Sequence, residues 1–185
     1  MKTVKELFYR PPFVGLLAFV VVFITQGLGH TLMVLVEKFF GSNYQFQAAF
    51  ILGLLGTILL FIGMKNDKEV PATWLGYFAG FFLWTGWVEF SFVFYADYLN
   101  IVQILPDGSI NKFPEYLVMQ SSIGVLMTSL LYFFFNRETK CNFFRFFQRN
   151  MKLSTGKPTR GYKRNYAAVT AMETVYVIWF FYIVL

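Results

Sequence analysis

Gln26, His30, Met33 and Glu37 step by four, three and four positions along one apolar stretch, so a helix puts them on a single face. His30 is the only histidine in the chain. A second apolar stretch carries Thr85 and Glu89 one turn apart, and a third carries Glu173 with Thr170. Glu37, Asp97 and Glu115 stand where such stretches end. An ionisable group in lipid costs about 2.5–3.5 kcal/mol on insertion scales, so each is a functional candidate by default. An imidazole among carboxylates suits proton handling, a His/Glu metal site or recognition of a cationic solute. The plain alternative is that His30 and Glu89 hold helices together and do nothing else. Counted from the basic ends of their helices, both stand about 24–27 Å up. They are therefore expected to face each other, with Glu37 and Gln26 in support and Met33 on the same line. Glu173 sits nearer mid-depth, about 12 Å up its helix, and with Thr170 makes a separate candidate proton relay.

Several chemistries are excluded by what the chain lacks. One histidine and one cysteine, Cys141, cannot build a bis-histidine haem site or a multi-ligand zinc site within this chain. There is no Cys-x-x-Cys, no P-loop and no Gly-x-Ser-x-Gly, so thiol redox, nucleotide hydrolysis and serine hydrolysis have no support. No catalytic residue is assigned, and a membrane enzyme ranks behind the non-enzymatic readings. No cofactor is assigned; a metal ion is left open by the residues, and a nucleotide is not expected.

The elements that must position these groups are transmembrane helices. Only 14% of the 185 residues are charged and 57% are hydrophobic, against about 25% charged in an ordinary soluble chain. Three stretches, Pro11–Val36, Phe39–Met64 and Tyr116–Asn136, contain no Asp, Glu, Lys or Arg; eighteen or more apolar residues are enough to cross a bilayer. Allowing Glu89 and Glu173 as interruptions gives five spans, at about 12–36, 46–64, 73–96, 116–135 and 165–185. The expected fold is an all-α polytopic bundle forming one domain, residues 1–185. A turn is expected at Pro106-Asp107-Gly108-Ser109. The first span is too long for a signal-peptide core and no small-x-small site follows it, so it reads as an uncleaved helix. The chain stops while still apolar, either at the membrane surface or as part of something longer.

Orientation follows from the basic residues. With the N-terminus cytoplasmic, the inner segments hold 14 of the 16 Lys and Arg, leaving Lys38 and Lys112 outside. That predicts N-in and C-out in a plasma or bacterial inner membrane. Nine of the 16 lie in the loop 136–164 between the fourth and fifth spans, against one acid, Glu138. Wound as a helix, Cys141–Leu153 aligns Arg145, Arg149 and Lys152 opposite phenylalanines. This is an interfacial amphipathic segment, with anionic headgroups as its expected partner and an acidic cytoplasmic protein as the alternative. Nucleic acid is not expected, since the loop lies between membrane spans.

Gly76, Gly80, Trp84 and Trp87 recur at three- and four-residue steps, a stripe expected to pack against a neighbouring helix. Ala49, Gly53 and Gly56 offer a similar face on the second span, and Tyr116, Trp179 and Tyr182 are expected in the aromatic belt at the membrane surface. Five helices are few for a solute path, so a homo-oligomer or a larger membrane complex is expected. Two functions follow from these residues. One is a small membrane subunit or transporter-like protein with an outer-half His/carboxylate site for protons, a cation or a metal. The other is a non-catalytic anchor or assembly subunit that docks a partner through its basic loop.

Overall fold

The structure, a computed structural model, describes residues 13–102, 104–110, 114–135, 142–153, 161 and 163–184. Lys2, Lys5, Arg10, Lys112, Cys141 and much of the basic loop lie outside them. The described chain is helical: α1 (Phe13–Phe40), α2 (Ser42–Met64), α3 (Glu69–Leu83), a π-helical turn (Trp84–Glu89), α4 (Phe90–Tyr98), α5 (Glu115–Gln120), α6 (Ile123–Phe135), α7 (Asn142–Asn150) and α8 (Tyr166–Val184). These make five helices long and apolar enough to cross a membrane: Gly15–Phe39, Tyr44–Met64, Glu69–Tyr98, Glu115–Phe135 and Tyr166–Val184.

The first and third spans run past the boundaries set by their charges. Glu37 and Lys38 remain helical, and α1 is parted from α2 by Gly41 alone, at φ 79°, a conformation that suits glycine. The third span continues to Tyr98 and closes on Asn100 at φ 49°. There the Ile101 N–H bonds the Ala96 carbonyl at 3.0 Å and the Asn100 N–H bonds Asp97 at 3.1 Å, the paired bonds of a Schellman end. The turn at Pro106–Ser109 closes a short hairpin. Leu105 accepts from the Gly108 N–H at 2.9 Å, donates its own N–H to Ser109 at 2.8 Å, and Gly108 has φ 82°. The Asp107 carboxylate accepts from both the backbone N–H and the hydroxyl of Ser109, which holds its pKa below the usual carboxylate value.

The third span forms the middle of the bundle. Half of its most apolar window is buried, against 11% for the fourth span. Its burial rests on small residues, because close backbone approach is what associates helices in lipid. A Cβ at Gly76 would overlap the backbone of Ala167 on α8, and one at Gly80 would stand 2.6 Å from the Ala171 carbonyl. On the opposite side, a Cβ on Gly86 would meet Gly53 N at 2.5 Å and the Ala49 carbonyl at 2.6 Å.

The Gly–Trp stripe does not continue through the span. Trp84 is buried against Trp179 and Tyr182 of α8, whereas Trp87 turns to α2, where its indole N–H donates to the Phe50 carbonyl at 3.3 Å. The π-turn causes the change of face: its i→i+5 bonding inserts a residue and rotates everything beyond it. Nor are both indoles satisfied, since Trp84 Nε1 is buried without a hydrogen-bond partner.

Candidate functional site

His30 and Glu89 meet. The imidazole Nδ1 lies 3.3 Å from Glu89 Oε1, joining the first span to the third in an ion pair whose carboxylate is buried and whose imidazole is half-buried. The same oxygen accepts a hydrogen bond from the Tyr182 hydroxyl at 2.7 Å, which ties in the fifth span. Glu89 is 5% exposed, and its second oxygen, Oε2, is buried with no hydrogen-bond partner.

The π-turn explains how Glu89 and Trp84 both reach Tyr182. In an α-helix two residues five apart point about 140° away from each other. With i→i+5 bonding, a residue five positions on is brought back toward the face of the first. Trp84 opens the π-turn and Glu89 closes it, and both touch Tyr182, the ring at 5.6 Å between centroids and the carboxylate through its hydrogen bond. Close approach of α1 completes the site. A Cβ on Gly29, next to His30, would stand 2.5 Å from Thr85 Oγ1, so only glycine lets the first span come this near. Lower down, Tyr77 donates to Thr25 Oγ1 at 2.6 Å across the same pair of spans.

Above Glu89 opens a cavity of about 250 Å³ lined from all five spans. Glu89 lies buried in its wall, His30 and Glu115 are half-buried, and Glu37 and Asp97 are exposed. The carboxylates thus run from buried to exposed along one chamber. Four of them face one imidazole, and no Lys or Arg among the described residues lines the space. Met33 lines it as well, but Gln26 does not: its Oε1 is buried elsewhere without a partner. Glu173 and Thr170 also lie outside it, nine residues before Tyr182 on α8 in the case of Glu173, or about 13 Å of helix. The Thr170 carbonyl accepts from the Thr174 hydroxyl at 2.8 Å, an ordinary bond within the helix. Among the described residues, no three His, Cys, Asp or Glu side chains are grouped so as to hold a metal ion.

Two tyrosines expected at the membrane surface belong to this site instead. Tyr182 is 9% exposed and Tyr116 lines the cavity, the two rings stacked at 6.3 Å and 22°. The usable signal was the series Ala167, Ala171, Thr174, Ile178 and Tyr182, steps of four, three, four and four, all buried on one face of α8. Trp179, beside it, donates to Ser122 at 2.9 Å, linking α8 to the break between α5 and α6.

The other end of the bundle carries the basic segment. Helix α7 covers Asn142–Asn150 and stops short of the Leu153 expected, with Lys152 beyond it at φ 56°; Cys141, the expected start, lies outside the described residues. The Leu153 N–H reaches the Gln148 carbonyl at 2.8 Å and the Lys152 N–H reaches Arg149 at 3.1 Å, so Lys152 occupies the left-handed position of a Schellman end and leaves the arginine stripe. The buried side of α7 faces protein. Phe144 stacks on Phe133 at 5.5 Å, and the Gln148 side chain donates to the Phe134 carbonyl at 2.8 Å, one of the groups a helix C-terminus leaves open. Arg149, Lys152, Phe146 and Met151 remain exposed and Arg145 is half-buried. Nearby, Lys163 pairs with Asp67 and Asn165 donates to the Met64 carbonyl, fastening the start of α8 to the end of α2.

No protein-family model, curated protein or solved structure matches this chain, so its chemistry is read from its own geometry.

Proposed function

We propose that this is a small transporter-like membrane protein, or a subunit of a membrane complex, whose His30–Glu89 centre takes up and releases a proton or small cation through the acidic chamber. Glu89 carries the reading. It is a buried carboxylate whose Oε1 is held by two donors while Oε2 has none, at the inner end of carboxylates that become progressively more exposed. Bonding between helices alone would be served by a carboxylate satisfied at both oxygens, or by a neutral amide. A bound proton neutralises Glu89, a bound cation also gives Oε2 a partner, and the imidazole alongside can exchange a proton with the carboxylate. Following the distribution of Lys and Arg, the N-terminus is cytoplasmic and the chamber opens to the outer side of a plasma or bacterial inner membrane. A metal ion held by several protein ligands is the least suited of the cations, because the carboxylates line walls and do not converge.

The test is substitution with a check on folding. His30→Ala and Glu89→Gln should each abolish proton or cation flux in proteoliposomes, or proton uptake by the purified protein, while the protein still inserts and elutes as a folded species. Variants that lose thermal stability yet keep flux and proton uptake would mean that the pair only binds helices together. The second reading, an anchor or assembly subunit, draws on the exposed cations of the basic end, Arg149 and Lys152, beside exposed Phe146 and Met151. It requires that a partner, or anionic lipid, be lost when those charges are removed and retained when Glu89 is changed.

A further inference from the structure

We infer that the acidic chamber binds a primary ammonium group, the head of a small organic amine, with its N–H donating to Glu89 Oε2 and its alkyl part against the rings of Phe90, Tyr116 and Tyr182. The inference deepens the cation reading above and rests on it.

Three observations select this ligand. The first is the orphan oxygen. Glu89 lines the inner end of the chamber, is only 5% exposed, and holds Oε2 buried without a partner, so an acceptor without a donor sits directly behind the chamber wall. Protonating Glu89 does not cure this, because the O–H would then need an acceptor in the same place. Water supplies a donor but no charge, and four carboxylates there face one imidazole and no Lys or Arg among the described residues. A group that donates hydrogen and carries positive charge answers both. The second is the wall. Aromatic rings are attractive to cations over their faces, and Tyr116 and Tyr182 are stacked together here, with Phe90 on the third span. A bare alkali or divalent ion prefers a closed set of oxygens, which the spread carboxylates do not form. The third is size. At about 250 Å³ the chamber is smaller than the usual pocket of roughly 300–1,000 Å³ for drug-sized ligands, and it suits a small amine.

The experiment is calorimetric titration of the full chain in nanodiscs of zwitterionic lipid at fixed ionic strength. Four probes are compared: propylammonium, 1-propanol as its neutral counterpart, tetramethylammonium as a cation without N–H, and sodium. Propylammonium should bind, 1-propanol should not, and sodium at equal concentration should not compete. Tetramethylammonium should bind at least tenfold more weakly. Glu89→Gln should weaken propylammonium tenfold or more, Glu115→Gln less, and Tyr116→Leu several-fold. Should Glu89→Gln fail to fold, Glu115→Gln and Tyr116→Leu still decide the matter. Equal binding of tetramethylammonium, or wild-type affinity in both glutamate variants, would overturn the assignment. The broader reading is followed separately by NMR titration of the single imidazole. A titration that moves with Glu89→Gln in a protein that does not bind propylammonium sinks the amine and leaves proton handling standing. If neither is seen, both fail.

Discussion

The two ends of this bundle are both polar, yet they are built by opposite means. At the acidic end, side chains from all five spans converge on one chamber, and its central carboxylate is held by residues 59 and 93 positions away in sequence. At the basic end, one short helix folds back on the span just before it, through contacts 11 and 14 residues apart. The acidic end is thus a property of the whole fold, and the basic end a property of one stretch of chain. Changes in packing should damage the first and spare the second, whereas changes of surface charge should do the reverse.

The strongest way to break that comparison is to add one residue to the π-turn. Inserting one alanine between Val88 and Glu89 should turn Glu89 and everything beyond it by about 100° relative to Trp84. Glu89 would then leave Tyr182 and His30, and Asp97 would leave the chamber. We expect complete loss of flux or proton uptake and a drop in melting temperature of several degrees. Hydrogen exchange of α7 should remain as in the wild type. If α7 loosened together with the chamber, the two ends would not be separate structures.

This π-turn is also where the sequence stopped being legible. Spans could be read because charge-free runs of this length have few alternative explanations, and His30 could be matched to Glu89 because depth along a helix is a matter of counting. A π-turn leaves no such mark. Residues 84–89, Trp-Thr-Gly-Trp-Val-Glu, are compatible with an unbroken α-helix, and extrapolating that helix wrongly joined Trp87 to the stripe of Trp84. Composition alone misplaces Tyr182 for a related reason. An aromatic residue near the end of a span fits a surface belt on composition, and only its four-residue step from Ile178 points inward. At the basic end the arginines were legible from periodicity. The docking of α7 was not, since it depends on Gln148 finding an open carbonyl at the end of α6.

A milder change sharpens the comparison within the acidic end. Tyr182→Phe keeps the ring that stacks on Trp84 and Tyr116 but removes the donor to Glu89. A hydrogen bond to a charged group is worth about 1.5–3 kcal/mol, so stability should fall by no more than that. The imidazole of His30, sharing the same oxygen, should show a changed titration curve by NMR. An unaltered curve would mean that Tyr182 supports the fold and has no influence on the exchange of protons.

At the basic end the corresponding test leaves the chamber alone. Arg145, Arg149 and Lys152 changed together to Gln should weaken attachment of the protein to anionic vesicles, by about 1 kcal/mol for each charge near the surface, and added salt should weaken the wild type in the same way. Flux through the chamber should be unchanged. If the wild type discriminates neither by lipid charge nor by salt, the exposed cations face something other than headgroups.

The smallest effect expected separates two roles that fall on one residue. Lys152 contributes a positive charge to the basic surface and also occupies the left-handed position that ends α7. For a residue with a Cβ that conformation costs roughly 1–2 kcal/mol, which glycine does not incur and asparagine incurs less. Lys152→Gly should therefore tighten the end of the helix while weakening attachment to anionic lipid by the loss of one charge. The amides of Lys152 and Leu153, which bond to Arg149 and Gln148, report on the first effect: their hydrogen exchange should slow by about fivefold for each 1 kcal/mol gained. Vesicle binding reports on the second. Lys152→Asn should fall between the two in exchange and match Lys152→Gly in binding, because it loses the same charge and recovers only part of the backbone strain. Faster exchange in Lys152→Gly would show that the end of α7 is held by the lysine side chain and not by the turn.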